Sequence, residues 1–335
     1  MENHIMQISK RKMLSALCGA VLGMSLAILP FTSAAAASMK LRLGHEMPES
    51  HPYHMGAVKF AELVSEKSKG SIQIQIYPNG TLGKMAQLAE GMSMGTVDLA
   101  LTNTMVLEKY NSEVSVLGLP YLFRDWNHLY GCLDSWLADE LNEGLERKGI
   151  SVLAYHSVGT IYINSTRKVV HPSDMKGMKV RVQPGPSYVQ AISALNAVVT
   201  TTAFSEVYTA LQMGMIDAQT QSISNVLNSK HYEVAKFIAL NNFSFLVEPL
   251  SISKMTMQRL KKDQIKILKD AAYESALYQR DLMAKAEKDG IVELRDKHGV
   301  EFSQCNLDEW SAVLSPVQEK FPKWKKIMDR VRAFK

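Results

Sequence analysis

The segment Asp174 to Gln221 constrains the fold of this chain more than any other. Lys179-Val180-Arg181-Val182 has the β-branched pattern of a strand, and it stops at Pro184-Gly185-Pro186. An apolar-faced helix follows, and a second strand begins after Gly214. Val180 and Val182 point one way and Arg181 the other. A guanidinium at the end of such a strand is a rigid fork suited to a carboxylate. Phe204 lies just before Ser205-Glu206-Val207-Tyr208 and supplies an apolar wall, while Ser205 and Glu206 suit the start of that helix.

The same plan occurs earlier in the chain. Residues 90–100 and 210–219 each read as a helix end, a glycine suited to a left-handed cap, and an aliphatic-Asp strand start. Many helix-to-strand turns share this form, but two lobes on one plan account for it better. Strand ends in open α/β sheets face a crevice, which sets Thr102 and Asn103 against Gln219 and Gln221. From Met39 onward, strands (40–44, 71–77, 97–101) alternate with helices (54–67, 85–94), which predicts an α/β fold with a largely parallel sheet. Residues 261–294 carry few helix breakers and predict a helix long enough to pack across both lobes. Residues 302–335 add one or two amphipathic helices anchored by Trp310 and Trp324.

The first residues are set apart from this pattern. Lys10-Arg11-Lys12 precede an apolar run ending near Phe31, and small residues follow, so residues 1–37 read as a secretory signal cleaved near Ala37. A retained membrane anchor is the rival reading, because the run approaches spanning length. A secretory signal implies a periplasmic location. The formal charge of +5 is weak and scattered over 335 residues, which argues against a nucleic-acid partner. Cys132 and Cys305 could pair in an oxidising compartment, but cysteines so far apart more often stay unpaired and buried.

Catalytic signatures are missing. The chain has no Gly-x-Ser-x-Gly elbow, dinucleotide-binding turn, phosphate loop or His-Glu-x-x-His helix, and Gly80-Thr81-Leu82-Gly83-Lys84 has the wrong glycine spacing for a phosphate loop. His45, His51 and His54 lie near Glu46 and Glu49, a set that could ligate zinc. Pro48 and Pro52 favour turn formation or ligand hydrogen bonding by these side chains instead, so no metal and no cofactor are expected.

Five blocks together resemble the substrate-binding proteins of tripartite ATP-independent periplasmic (TRAP) transporters. They are Gly44-His45 with His51-Pro52, residues 77–83, residues 119–125, residues 174–182 and residues 204–212. The resemblance implies a two-lobe periplasmic binding protein fold of type II-like form, with a long helix spanning both lobes, closing over a small organic acid. The lobes are placed at 39–158 with 247–286, and at 159–246 with 287–335. The partners implied are the acid and the transporter's membrane subunits. The family's marker arginine falls on Arg181. Gln221 and Asn103 are expected to donate hydrogen bonds, Phe204 to pack on the ligand, and His45 and Glu46 to contribute from the first lobe.

Two departures bear on the ligand. The family's second arginine is replaced by Thr160 or Ile161, and its Gln-Glu-Asn-Pro or Gln-Glu-His-Pro becomes Gln219-Thr220-Gln221-Ser222. A second ligand carboxylate would lack its fork, which favours a monocarboxylate and allows it an apolar or aromatic body, unless His45, Lys84 or Arg124 substitutes. A ligand sensor for a signalling partner, or an enzyme on the same scaffold, are the other readings.

Overall fold

The structure is a computed structural model that describes residues 38–335; the signal-peptide reading falls on residues outside these. Nine strands form one sheet: β1 (Met39–Gly44), β2 (Ile72–Tyr77), β3 (Leu99–Leu101), β4 (Ile150–Ser165), β5 (Lys179–Val182), β6 (Val198–Thr201), β7 (Ala218–Gln221), β8 (Phe237–Ser253) and β9 (Glu301–Gln304). Their order is β2-β1-β3-β8-β4-β7-β5-β6, with β9 pairing to β8. The echoing units give a parallel group at each end, β2-β1-β3 and β7-β5-β6.

The middle of the sheet departs from the parallel expectation. β3 to β8, β8 to β4 and β4 to β7 all pair antiparallel. β4 and β8, of 16 and 17 residues, each run from one parallel group into the other. Every residue of β4 except Leu153 is buried, so no polar face alternates with an apolar one and the period-two signal disappears. Their ladder shifts register between Ser157 and Gly159, opposite Val247 and Leu246. Gly159 sits there at φ 113°, a value that disfavours side chains, and a Cβ would lie 3.1 Å from the Ser222 Cβ.

The long helix Lys262–Asp296 runs beside this irregular stretch. It packs against the helix Pro52–Lys67, against β4, and against the helix Ile223–Asn228, which approaches Gly290 closely enough that a Cβ there would lie 2.8 Å from Ile223. Gln279 grips both backbone groups of Ser157, accepting from its N–H at 2.7 Å and donating to its carbonyl at 2.8 Å. Glu287 accepts from the Thr160 N–H and the Tyr162 hydroxyl, and Arg280 forks onto Asp134 at 2.6 and 2.9 Å. The helix therefore holds the strand on both sides of its bulge, through the backbone of Ser157 and Thr160 and through the Tyr162 hydroxyl.

The tryptophans anchor the C-terminal helices. Trp310 is fully buried and donates to the Val170 carbonyl at 3.0 Å; truncating such an indole costs about 3–5 kcal/mol. The last helix, Lys325–Ala333, was grouped with the second lobe in the sequence, yet it packs on the other side. Trp324, Ile327, Met328 and Val331 share a cluster with Leu129, Leu141 and Ile150. Its strongly one-sided apolar stripe specifies burial but not a partner surface. Cys132 and Cys305 are both free thiols.

Candidate functional site

The strands of each parallel group end at a cavity of about 190 Å³. That is room for roughly a dozen water-sized groups. Asn103 follows β3, Gln183 and Pro184 follow β5, Thr202 to Phe204 follow β6, and Gln221 ends β7. Glu46 and Met47 follow β1, and Lys84 precedes the helix Met85–Met94. Val158, Leu246 and Glu248 reach the cavity from the two central strands.

Arg181 is 2% exposed and is the centre of this arrangement. Its Nε and Nη2 donate to the Thr202 carbonyl at 3.0 and 2.9 Å, while its Nη1 is buried with no partner. One edge of the fork is thus spent on orientation. The other is left for a ligand, because two fixed contacts to one carbonyl lock the guanidinium plane. Burial lowers its pKa to about 10, which leaves it charged at neutral pH.

The two amides are oriented as donors. The Asn103 Oδ1 caps the helix Thr104–Leu107 by accepting from the Met105 N–H at 2.7 Å, which turns its Nδ2 away from that helix end. The Gln221 Oε1 accepts from the Ser222 N–H at 3.0 Å and from the Asn225 Nδ2 at 2.9 Å. Phe204 lines the cavity and meets His231 edge-on at 5.7 Å.

Acid groups complete the wall. Glu46 is half-buried, and burial raises its pKa against the opposing effects of the Met85 N–H and Lys84. Glu248 went unrecognised in the sequence. It is 1% exposed, and neither carboxyl oxygen makes a hydrogen bond of standard geometry. Burial pushes its carboxyl up to about 8; the nearby Tyr53 hydroxyl opposes the rise and Glu46 adds to it. A neutral carboxyl both donates and accepts, so Glu248 suits a hydroxyl group.

Six of the expected residues therefore meet at the cavity: Arg181, Gln221, Asn103, Phe204, Glu46 and Lys84. Two do not. Thr160, just past the bulge, accepts from the Trp126 Nε1 at 3.3 Å and faces the long helix through its N–H. Ile161 is core, so neither residue stands in for a second arginine at the cavity. His45 lies behind the lining, where its Nε2 meets the His54 Nδ1 at 3.2 Å; Glu46 and Met47 reach the cavity in its place. Thr102 and Gln219 also face away, Gln219 bonding Asn164 and His231. Arg124 binds the Phe334 carbonyl elsewhere. Ser205 and Glu206 make no side-chain cap, because a 3₁₀ turn at Phe204–Glu206 moves the helix start to Val207. Among the described residues no three His, Cys, Asp or Glu side chains come together as a metal site; His51 turns instead to Asn225.

Residues 43–324 match the model of bacterial extracellular solute-binding protein family 7. The chain belongs to this family. It is 32% identical over 272 residues to the 2,3-diketo-L-gulonate-binding periplasmic protein of Escherichia coli, covering 81% of this chain and 83% of that one. It is 29% identical over 317 residues to the C4-dicarboxylate-binding periplasmic protein of Rhodobacter capsulatus, covering 92% and 93%. A TRAP periplasmic solute-binding protein of Polaromonas, solved with D-erythronate, superposes with a TM-score of 0.85 at 26% identity, over 89% of this chain and 99% of that one. The family assignment makes the chain a transport-related solute-binding protein with a two-lobe α/β fold.

Proposed function

We propose that this chain is a periplasmic receptor that holds a hydroxylated monocarboxylate between two lobes and presents it to TRAP membrane subunits. The observation that carries this reading is the free, buried Nη1 of Arg181 in a cavity that also contains Glu46 and the unpartnered Glu248. The cavity offers one guanidinium fork for one carboxylate. The other polar side chains of the wall are mostly acids and amides, which pair with hydroxyl groups, set among apolar residues such as Met47, Val158 and Leu246. A wholly apolar or aromatic ligand body would leave the neutral Glu248 carboxyl without a hydrogen bond of standard geometry, at a cost of about 1–3 kcal/mol. A second carboxylate would face Glu46 and Glu248, with Lys84 the only other cation in the lining. The size suits an acid of about a dozen heavy atoms or fewer, and a related receptor is known with D-erythronate.

The lobes divide at the β4–β8 bulge, near 158/159 and 246/247, and a ligand favours closure by contacting both sides at once. A thermal-shift screen of aldonates, uronates, 2-oxo sugar acids and C4-dicarboxylates tests the reading. At one hundred times Kd a ligand stabilises the native state by about 2.7 kcal/mol. A hydroxylated monocarboxylate is expected to raise the melting temperature most; shifts confined to dicarboxylates would overturn the assignment.

A further inference from the structure

We propose that His51 is a positioning residue that acts through Asn225 to fix Gln221 as a hydrogen-bond donor to the bound acid. The inference rests on the preceding reading in that Gln221 contacts the ligand, but it starts from a backbone contact, the Tyr53 N–H on His51.

His51 caps the helix Pro52–Lys67: its Nδ1 accepts from the Tyr53 N–H at 3.2 Å. A backbone N–H donates and cannot accept, so Nδ1 holds the lone pair and a neutral ring carries its proton on Nε2. Burial keeps the ring neutral at ordinary pH, with its pKa lowered to about 4. The Nε2–H then points to the Asn225 Oδ1 at 3.1 Å, with the Ser224 hydroxyl at 3.4 Å beside it. With its oxygen held, Asn225 directs its Nδ2 to the Gln221 Oε1. That oxygen also accepts the Ser222 N–H, so both of its lone pairs are used and the Gln221 Nε2 is the end left for the cavity.

Every polarity in this chain is set by its predecessor, and both ends are backbone N–H groups. His51, Asn225 and Gln221 are 0%, 6% and 1% exposed, so water does not replace the contacts. Turning Gln221 over would set its NH₂ against two donors. Reversing Asn225 as well would set another NH₂ against the His51 Nε2–H. The site therefore presents a donor at Gln221 and selects an acceptor oxygen on the ligand. The relay also joins residues 174 positions apart, from the end of the first parallel group to the helix after β7.

Two measurements decide the proposal. In ligand-free protein labelled with ¹⁵N-histidine, His51 is expected as the neutral tautomer protonated at Nε2 and bare at Nδ1; the opposite tautomer overturns the relay whatever the ligand is. In calorimetric titrations with D-erythronate, His51→Phe is expected to weaken binding about tenfold, and His51→Gln to retain most of it. In a Gln221→Ala background, His51→Phe should cause no further loss. An equal loss in both backgrounds, or none in either, contradicts action through Gln221. If wild-type protein does not bind D-erythronate, that choice of ligand fails, while the tautomer still decides the relay.

Discussion

Arg181→Met is expected to abolish acid binding while leaving the ligand-free protein about as stable as wild type. The two effects have separate causes. Without ligand, Arg181 is a buried charge that contacts one neutral carbonyl and leaves Nη1 unpaired. Methionine of similar length removes that unfavourable burial, and the loss of donors to the Thr202 carbonyl offsets the gain, so the net change stays within about 1–2 kcal/mol. With ligand, the guanidinium meets its counter-charge in a dry site. Removing one partner of such a pair costs about 3–5 kcal/mol, which is roughly 150- to 5,000-fold in Kd. Melting curves and calorimetric titration of the same preparations separate the two effects. Retained affinity in the variant would refute the carboxylate role.

Glu248→Gln is expected to change the pH dependence of stability on its alkaline side. The folded carboxyl sits at about 8, against 4.5 for a glutamate free in water. Between these pH values the folded protein holds a proton that the unfolded chain has released. The associated stability is therefore fully present below 4.5 and lost as pH rises through 8, with a total on the order of 5 kcal/mol. About 2 kcal/mol of it is lost between pH 6.5 and 8. Histidines act in the opposite sense: burial lowers His45, His51 and His231 to about 4 and His156 to about 3, so their stabilisation is lost as pH falls below 6.5. The wild-type melting temperature should peak at neutral pH, about 7, and decline on both sides. The variant should keep the acid decline and lose most of the decline toward pH 8. Parallel alkaline limbs in a melting series from pH 5 to 9 would show that Glu248 is not held neutral.

The parallel groups at the sheet ends were legible because each rests on local signals. Residues 85–94 form the expected helix, Gly95 takes the left-handed cap, and Arg181 lies on the expected strand. The central strands were not, because burial on both faces removes periodicity. That loss explains two errors about the site. Thr160 was placed by motif position, but the bulge before it turns its side chain to Trp126. Glu248 lies in the unread strand β8, though it left a trace: it is the only charged residue between Lys236 and Lys254. A lone carboxylate in such an apolar run implies either a paired ion or a neutral acid. The His51 relay was beyond sequence reasoning, since its partner is 174 residues away and its polarity depends on a backbone contact.

One guanidinium fork, with Glu46 and Glu248 in the same wall, is expected to select one carboxylate and several hydroxyls. The direct measurement is calorimetric titration of the wild-type protein with a matched pair: a four-carbon trihydroxy monocarboxylate and a four-carbon dicarboxylate of the same length. The monocarboxylate is predicted to bind at least a hundredfold more tightly, a difference of about 2.7 kcal/mol. Equal or tighter binding of the dicarboxylate would contradict the account.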